Sequence, residues 1–216
     1  MSRPRKATDD EIFAAMHRVM TRVGPTELTL AAIAAEAGLT AGALVQRFGS
    51  KRQMLLAVTR KMAEGMDGML ADVRALDDTP LEALRAWAVC FARLAESPAA
   101  MARNLAYLQN DLTDPDFHAH LLKQYRATRV IYRTLLDEAI AEGTLARGTD
   151  TEALARAVEV SINGSLMTWA VYQDGPAARW IRTDLDAVLR PYVVVAASTA
   201  TRRARRRSPQ VRKRSR

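Results

Sequence analysis

Thr29-Leu30-Ala31-Ala32-Ile33-Ala34-Ala35-Glu36-Ala37-Gly38-Leu39-Thr40-Ala41-Gly42-Ala43-Leu44-Val45-Gln46-Arg47-Phe48-Gly49-Ser50-Lys51-Arg52-Gln53-Met54-Leu55 decides how the rest of the chain is read. Thr29 can accept a backbone N–H bond and start a helix over Leu30–Ala37. Alanine dominates that helix, so a second helix can cross it closely. Gly38 sits where the first helix must stop, because glycine takes the left-handed conformation without a steric penalty. Leu39 is an apolar plug. Thr40 caps a second helix from Ala41 to Phe48. Leu44 and Phe48 lie four apart, share one face and can pack on Ile33. Thr40, Ala41, Gly42, Val45 and Gln46 are left on the other face. Gly49-Ser50 ends this helix, and Ser50-Lys51-Arg52-Gln53 is a capping box for the next. Two short helices around a glycine present one of them to the outside, as a helix-turn-helix does to the DNA major groove. By itself the pattern also fits all-helical proteins that bind no DNA.

Working outward, the helical period dominates and no alternating strand pattern persists. Thr8-Asp9-Asp10-Glu11 opens a first helix with the stripe Ile12, Phe13, Met16, Val19, Met20 and Val23, stopped by Gly24-Pro25. A fourth helix is predicted from about Lys51 to Arg74. Gly65 and Gly68 lie inside it and mark either a tight crossing or a place where it can bend. Thr79-Pro80-Leu81-Glu82 opens a fifth helix to about Glu96. Ser97-Pro98 opens a sixth to about Asn110, and Asp114-Pro115 a seventh to near Glu142-Gly143. An eighth starts at Thr149-Asp150-Thr151-Glu152 and runs through about Tyr172. A ninth follows Asp174-Gly175-Pro176 and runs to about Ala197. The fold class is therefore all-α, with about nine helices and no strands.

Length and composition suit one large or two small soluble domains: 216 residues, 49% apolar and 26% charged. The basic start, Arg3, Arg5 and Lys6, has no apolar stretch behind it, so it is no secretory signal. No apolar run is long enough to span a bilayer. The lone cysteine, Cys90, points to the reducing cytoplasm and, amid Trp87, Phe91 and Leu94, reads as an inert core thiol. The net charge of +8 belongs to the end of the chain. Residues 201–216 hold nine of the 32 basic side chains and no acid, leaving 23 basic against 24 acidic elsewhere. Any attraction to DNA must come from local charge: Arg3, Arg5, Lys6, Arg47, Lys51 and Arg52, with or without the tail. Residues 1–7 and 200–216 are expected to be disordered, since neither can bury enough apolar surface.

Taken together these residues resemble the tetracycline-repressor (TetR) family of bacterial transcription regulators. The resemblance is strongest over residues 9–60. It rests on a first helix, then Thr29-Leu30-x-x-Ile33-Ala34-x-x-Ala37-Gly38-Leu39-Thr40, Gly42-Ala43-Leu44, Phe48 and Ser50-Lys51 before an apolar helix. Gly143-x-Leu145 and Asp150-x-x-x-Leu154-Ala155 resemble the approach to the family's eighth helix. The resemblance implies a helix-turn-helix DNA-binding domain at 8–50 and a helical ligand-binding and dimerisation domain at 51–199. It also implies a homodimer on a palindromic double-stranded DNA operator, with the last two helices of each subunit forming a four-helix bundle. Ala157, Ser161, Gly164, Ser165 and Thr168 supply a small-residue strip for it. Leu185, Val188, Leu189, Tyr192 and Val193 supply bulk, although both stripes also fit a core within one chain. Val45 departs from the family, which usually has a tyrosine there to reach a phosphate.

The implied function is a sequence-specific transcriptional regulator, a repressor released from its operator by a small, largely apolar ligand. DNA contacts are expected from Thr29, Thr40, Ala41, Gly42, Val45, Gln46, Arg47 and Lys51. Thr40 and Gln46 face base edges, while Thr29, Arg47 and Lys51 face phosphates. Ligand candidates are Trp87, Phe91, Met101, Leu105, Leu108, Tyr125, Arg129, Met167 and Trp169, each of which also fits plain core. No metal or cofactor is expected: His118 and His120, near Asp114 and Asp116, are spaced by two and point to opposite sides of a helix. Two other classes remain open. One is a ligand-independent or architectural DNA-binding factor using the basic tail. The other is an all-helical enzyme, against which stands the lack of a nucleophile–base pair, ligand spacing or phosphate loop.

Overall fold

The computed structural model describes residues 7–76 and 79–194. Ten α-helices run through them: α1 (Asp9–Arg22), α2 (Leu30–Ala37), α3 (Ala41–Phe48), α4 (Lys51–Glu64), α5 (Met66–Leu76), α6 (Pro80–Cys90), α7 (Pro98–Thr113), α8 (Pro115–Ala141), α9 (Thr151–Tyr172) and α10 (Ala177–Leu189). A 3-10 turn, Phe91–Ala95, joins α6 to α7. Among the described residues there is no strand, only an isolated antiparallel bridge between Leu145 and Val193. No helix among them is long and apolar enough to cross a membrane. Residues 1–6 of the expected arm and the arginine-rich tail lie outside the described residues. Ala7, assigned to the arm, is instead buried in the N-terminal core.

Side-chain caps set most helix starts. The Thr8 hydroxyl accepts from Glu11 N–H at 3.2 Å, and the Glu11 carboxylate accepts from Thr8 N–H at 2.9 Å. Thr29, Thr40, Ser50, Thr79, Ser97, Asp114 and Asp150 cap α2, α3, α4, α6, α7, α8 and α9 with a side-chain oxygen that accepts a backbone N–H. The boxes expected at Ser50–Gln53 and Thr79–Glu82 form only this half. Each such cap contributes about 1 kcal/mol. Gly38 ends α2 with φ +68°, so Leu39 N–H can reach back to Ala34 O at 2.8 Å. That turn aims α3 away from α2.

Three sequence expectations are corrected. The helix predicted from Lys51 to Arg74 is divided at Gly65, which has φ −81° and ψ −5°. Backbone bonds still cross it, Gly65 N–H to Lys61 O and Met69 N–H to Gly65 O, so the glycine loosens the helix without parting it. The fifth helix ends at Cys90, and its predicted last turn tightens into the 3-10 segment. The last helix stops at Leu189, short of Ala197, because Pro191 has no N–H to continue the ladder. The chain then turns back, and Ala146 N–H donates to Tyr192 O while Val194 N–H donates to Thr144 O.

Two apolar clusters form the core. The smaller gathers Ile12, Met16, Leu28, Ile33, Leu44 and Met54 from α1 to α4, with Tyr107 of α7. The larger gathers residues of α5, α6 and α8 to α10 around the fully buried Trp87. Burying each large aliphatic side chain in them contributes about 1.5–3 kcal/mol. Leu185 and Leu189, assigned to an intersubunit bundle, are completely buried within the chain, with Val188 and Val193 packed alongside. Ser165 likewise faces inward, its hydroxyl donating to Asp184 Oδ2 at 2.6 Å. Ala157, Gly164 and Thr168 remain exposed, next to Val160 (64% exposed) and Val171 (77%), so the outward stripe of α9 is small and apolar.

Candidate nucleic-acid interface and ligand cavity

Leu44 anchors α3, being fully buried against Ile33 and the rest of the small core. Phe48 meets Phe13 of α1 with ring centroids 5.7 Å apart. The opposite face of α3 is open. Thr40, Gly42, Val45, Gln46 and Arg47 are exposed, Ala41 is half-buried, and Thr29 is exposed at the head of α2. A side chain added at Gly42 would meet only Thr40 Oγ1 at 4.0 Å, so nothing within the chain demands glycine there. The Thr29 and Thr40 hydroxyls accept from Ala32 and Ala43 N–H, which leaves each O–H free to donate outward.

The basic residues near this face are committed in ways their sequence positions do not reveal. Arg47 folds back over Phe48, donates to Ala7 O at 2.6 Å and pairs with Asp9 at 2.6 Å. Lys51 turns inward and donates to Leu28 O at 2.9 Å and Pro25 O at 3.3 Å, pinning the loop between α1 and α2. Arg52, counted in the basic cluster, lies over Phe117 and pairs with both Asp114 at 2.8 Å and Asp116 at 2.7 Å. The Arg52 hydrogen bond holds the Asp114 carboxyl below the usual carboxylate range. These bonds spend Asp114 and Asp116 on an arginine, and no metal-ligand cluster occurs among the described residues.

Behind the small core lies a cavity of about 860 Å³. Its wall includes α4 itself, through Lys51, Arg52, Leu55, Val58 and Thr59. Of the ligand candidates, Phe91, Met101, Leu105, Leu108, Tyr125 and Met167 line it. Trp87 and Trp169 do not. Trp87 fills the larger core, and the Trp169 indole N–H donates to Gly175 O at 2.9 Å to close the turn after α9. Arg129 lines a neighbouring groove with Leu112, Arg126 and Arg133. Lining residues not expected from sequence include Asp111, Phe117, Tyr132, Glu159 and Asn163. Glu159 had a legible signal: an acid in phase with the apolar stripe Ala155, Ile162 and Leu166. Burial, and next the nearby Asp114 charge, push the Asp111 carboxyl up.

Two further contacts tie α1 and the residue that follows it to helices around the cavity. The Tyr107 hydroxyl donates to Val23 O at 3.2 Å, and burial raises that phenol to about 12. Lys61 of α4 pairs with Asp10 of α1.

Comparison with known proteins agrees with this geometry. Residues 12–58 match the family model for bacterial regulatory proteins of the tetR family. Residues 106–185 match that of the tetracyclin repressor-like C-terminal domain. A TetR transcription regulator from Haloarcula marismortui is 19% identical, covering 86% of this chain and 98% of its own, with a TM-score of 0.71. A protein from Saccharomonospora viridis solved in complex with choline is 16% identical, with coverages of 87% and 98% and a TM-score of 0.71. The regulator FadR from Bacillus subtilis, in complex with stearoyl-CoA, is 17% identical, with coverages of 84% and 97% and a TM-score of 0.65. At such identities the likeness is one of fold. No curated protein matches the chain.

Proposed function

Since the chain belongs to the TetR family and is a DNA-binding transcriptional regulator, we propose that it is a cytoplasmic repressor that a small, largely apolar ligand releases from its operator. The observation that carries this reading is the shared helix: α4 follows the exposed α3 after two residues and forms part of the cavity wall. A molecule filling the cavity must push on α4, and α4 carries α3 with it. Complexes of two proteins of the same fold with choline and with stearoyl-CoA support a ligand for this one as well.

The DNA-binding unit spans residues 8–50, and the remainder to residue 199 binds ligand and partner. Two copies joined along the outward stripe of α9, with Val160, Gly164 and Val171 at its centre, would hold two α3 helices for half-sites about 34–36 Å apart. Thr40 and Gln46 read base edges, Ala41 and Gly42 admit the DNA closely, and Val45 offers its methyl groups to a thymine methyl. Thr29 holds phosphates. Arg47 and Lys51 join it with the donors left over from their internal bonds.

Selection of duplexes from a random DNA pool by the full chain tests this. The selected sequences should share a palindrome, and Gln46→Ala should relax one position of each half-site at a cost of about 1–3 kcal/mol. Recovery of unrelated sequences, held equally well and released steeply by salt, would sink the reading.

A further inference from the structure

Glu159 sits on the inner face of α9 and is only 6% exposed. Arg129 of α8 balances its charge, but both guanidinium N–H groups go to the same oxygen, Oε2, the Nε at 2.8 Å. Oε1 is buried and accepts no hydrogen bond. A native protein seldom leaves a buried acceptor in this state without a partner arriving from elsewhere. Glu159 lies on the cavity wall, beside Tyr125, Tyr132 and Asn163. The Asn163 amide is taken by the Glu159 main-chain carbonyl at 2.9 Å. Burial first, and the Glu159 charge second, push the Tyr125 and Tyr132 phenols up, so both rings stay neutral.

The other charged groups on the wall point the same way. Asp111 and Asp114 add two carboxyls. The cations Lys51 and Arg52 already give most of their N–H groups to carbonyls and to Asp114 and Asp116. An anionic headgroup would meet carboxylates, and cations whose charge is largely matched already. A group with N–H donors and positive charge would meet Glu159 Oε1, a buried carboxylate oxygen with no donor of its own. Phe91, Leu94, Met101, Leu105 and Leu108 offer an apolar surface for the rest of the molecule.

Resting on the cavity reading above, we infer that the ligand is an amphipathic amine, whose protonated nitrogen donates to Glu159 Oε1 while an apolar or aromatic body fills the cavity. A quaternary ammonium lacks the N–H and gains nothing from this oxygen beyond its charge.

Calorimetric titration of the full chain with four matched probes tests it: phenylbutylamine, phenylbutanol, phenylbutyrate and the trimethylated amine. The amine should bind at least about tenfold more tightly than the alcohol, as expected for a charge-assisted hydrogen bond. The trimethylated amine should fall below the amine, and phenylbutyrate should be weakest. Glu159→Gln should remove most of the amine's advantage and keep the alcohol's affinity. The ranking within the unaltered chain stands as a test even if that variant folds poorly. If alcohol and amine bind equally, or phenylbutyrate binds best, the amine inference falls and the cavity reading survives. If none of the four binds, both fall.

Discussion

At Gly42 the structure separates what the fold needs from what the DNA needs. The position is exposed in the first turn of α3, with no close neighbour for a new methyl group. Gly42→Ala should therefore stabilise the helix by up to about 1 kcal/mol. The same methyl would stand between α3 and the groove floor, so operator binding should weaken. Thermal melting and a mobility-shift titration of one variant would show the two effects with opposite signs; a variant that melts lower would contradict the packing described here. The caps show how far a single residue can be read from sequence. Thr8, Thr29, Thr40 and Ser50 act on backbone three positions away, so their roles are written locally. Lys51 and Arg47 are different. Their partners, Leu28 O and Ala7 O, lie 23 and 40 residues off, and no local pattern announces them.

Among the elements, α4 and α8 are held together outside the apolar core by Arg52 with Asp114 and Asp116, and by Arg52 over Phe117. This clasp joins the helix behind α3 to a helix that lines the cavity. Arg52→Ala should leave DNA binding without ligand near normal and shrink the ligand response, which for a typical allosteric coupling is about 5–150-fold. An unchanged response measured by fluorescence anisotropy would remove the clasp from the switch. The clasp also has a pH signature. Arg52 depresses the Asp114 pKa, so its stabilisation is present above the ordinary carboxylate range and is lost as pH falls through the depressed value. Melting curves of the two proteins should therefore differ at neutral pH and converge in strong acid. The periodicity foretold the helices around this clasp, but not the division at Gly65. There the apolar stripe continues, and only the low helical propensity of glycine marks the spot.

For the whole molecule, sequence pattern placed the small core well, because its residues come from consecutive helices. It placed the cavity in part: six of the nine candidates line it, and the rest of a wall drawn from α4, α7, α8 and α9 depends on tertiary packing. Trp87 and Trp169, pocket candidates that suit plain core more readily by type, both lie in the core. The outward stripe of α9 is a further global feature, with Val160 and Val171 exposed and Gly164 between them. In the dimer proposed above each monomer reads one half-site, so Val160→Asp should yield monomers and reduce operator affinity at least about tenfold. Analytical ultracentrifugation would check the first effect; a variant that stays dimeric would move the interface elsewhere. The clasp carries one more consequence at this scale. Its three charged groups are partly open to water, and the attraction between such groups fades with ionic strength over a screening length of about 8 Å in physiological salt. Salt weakens the pull between protein and phosphates as well. In the proposed switch, ionic strength would thus act as a second input, setting how readily the regulator lets go before any inducer arrives.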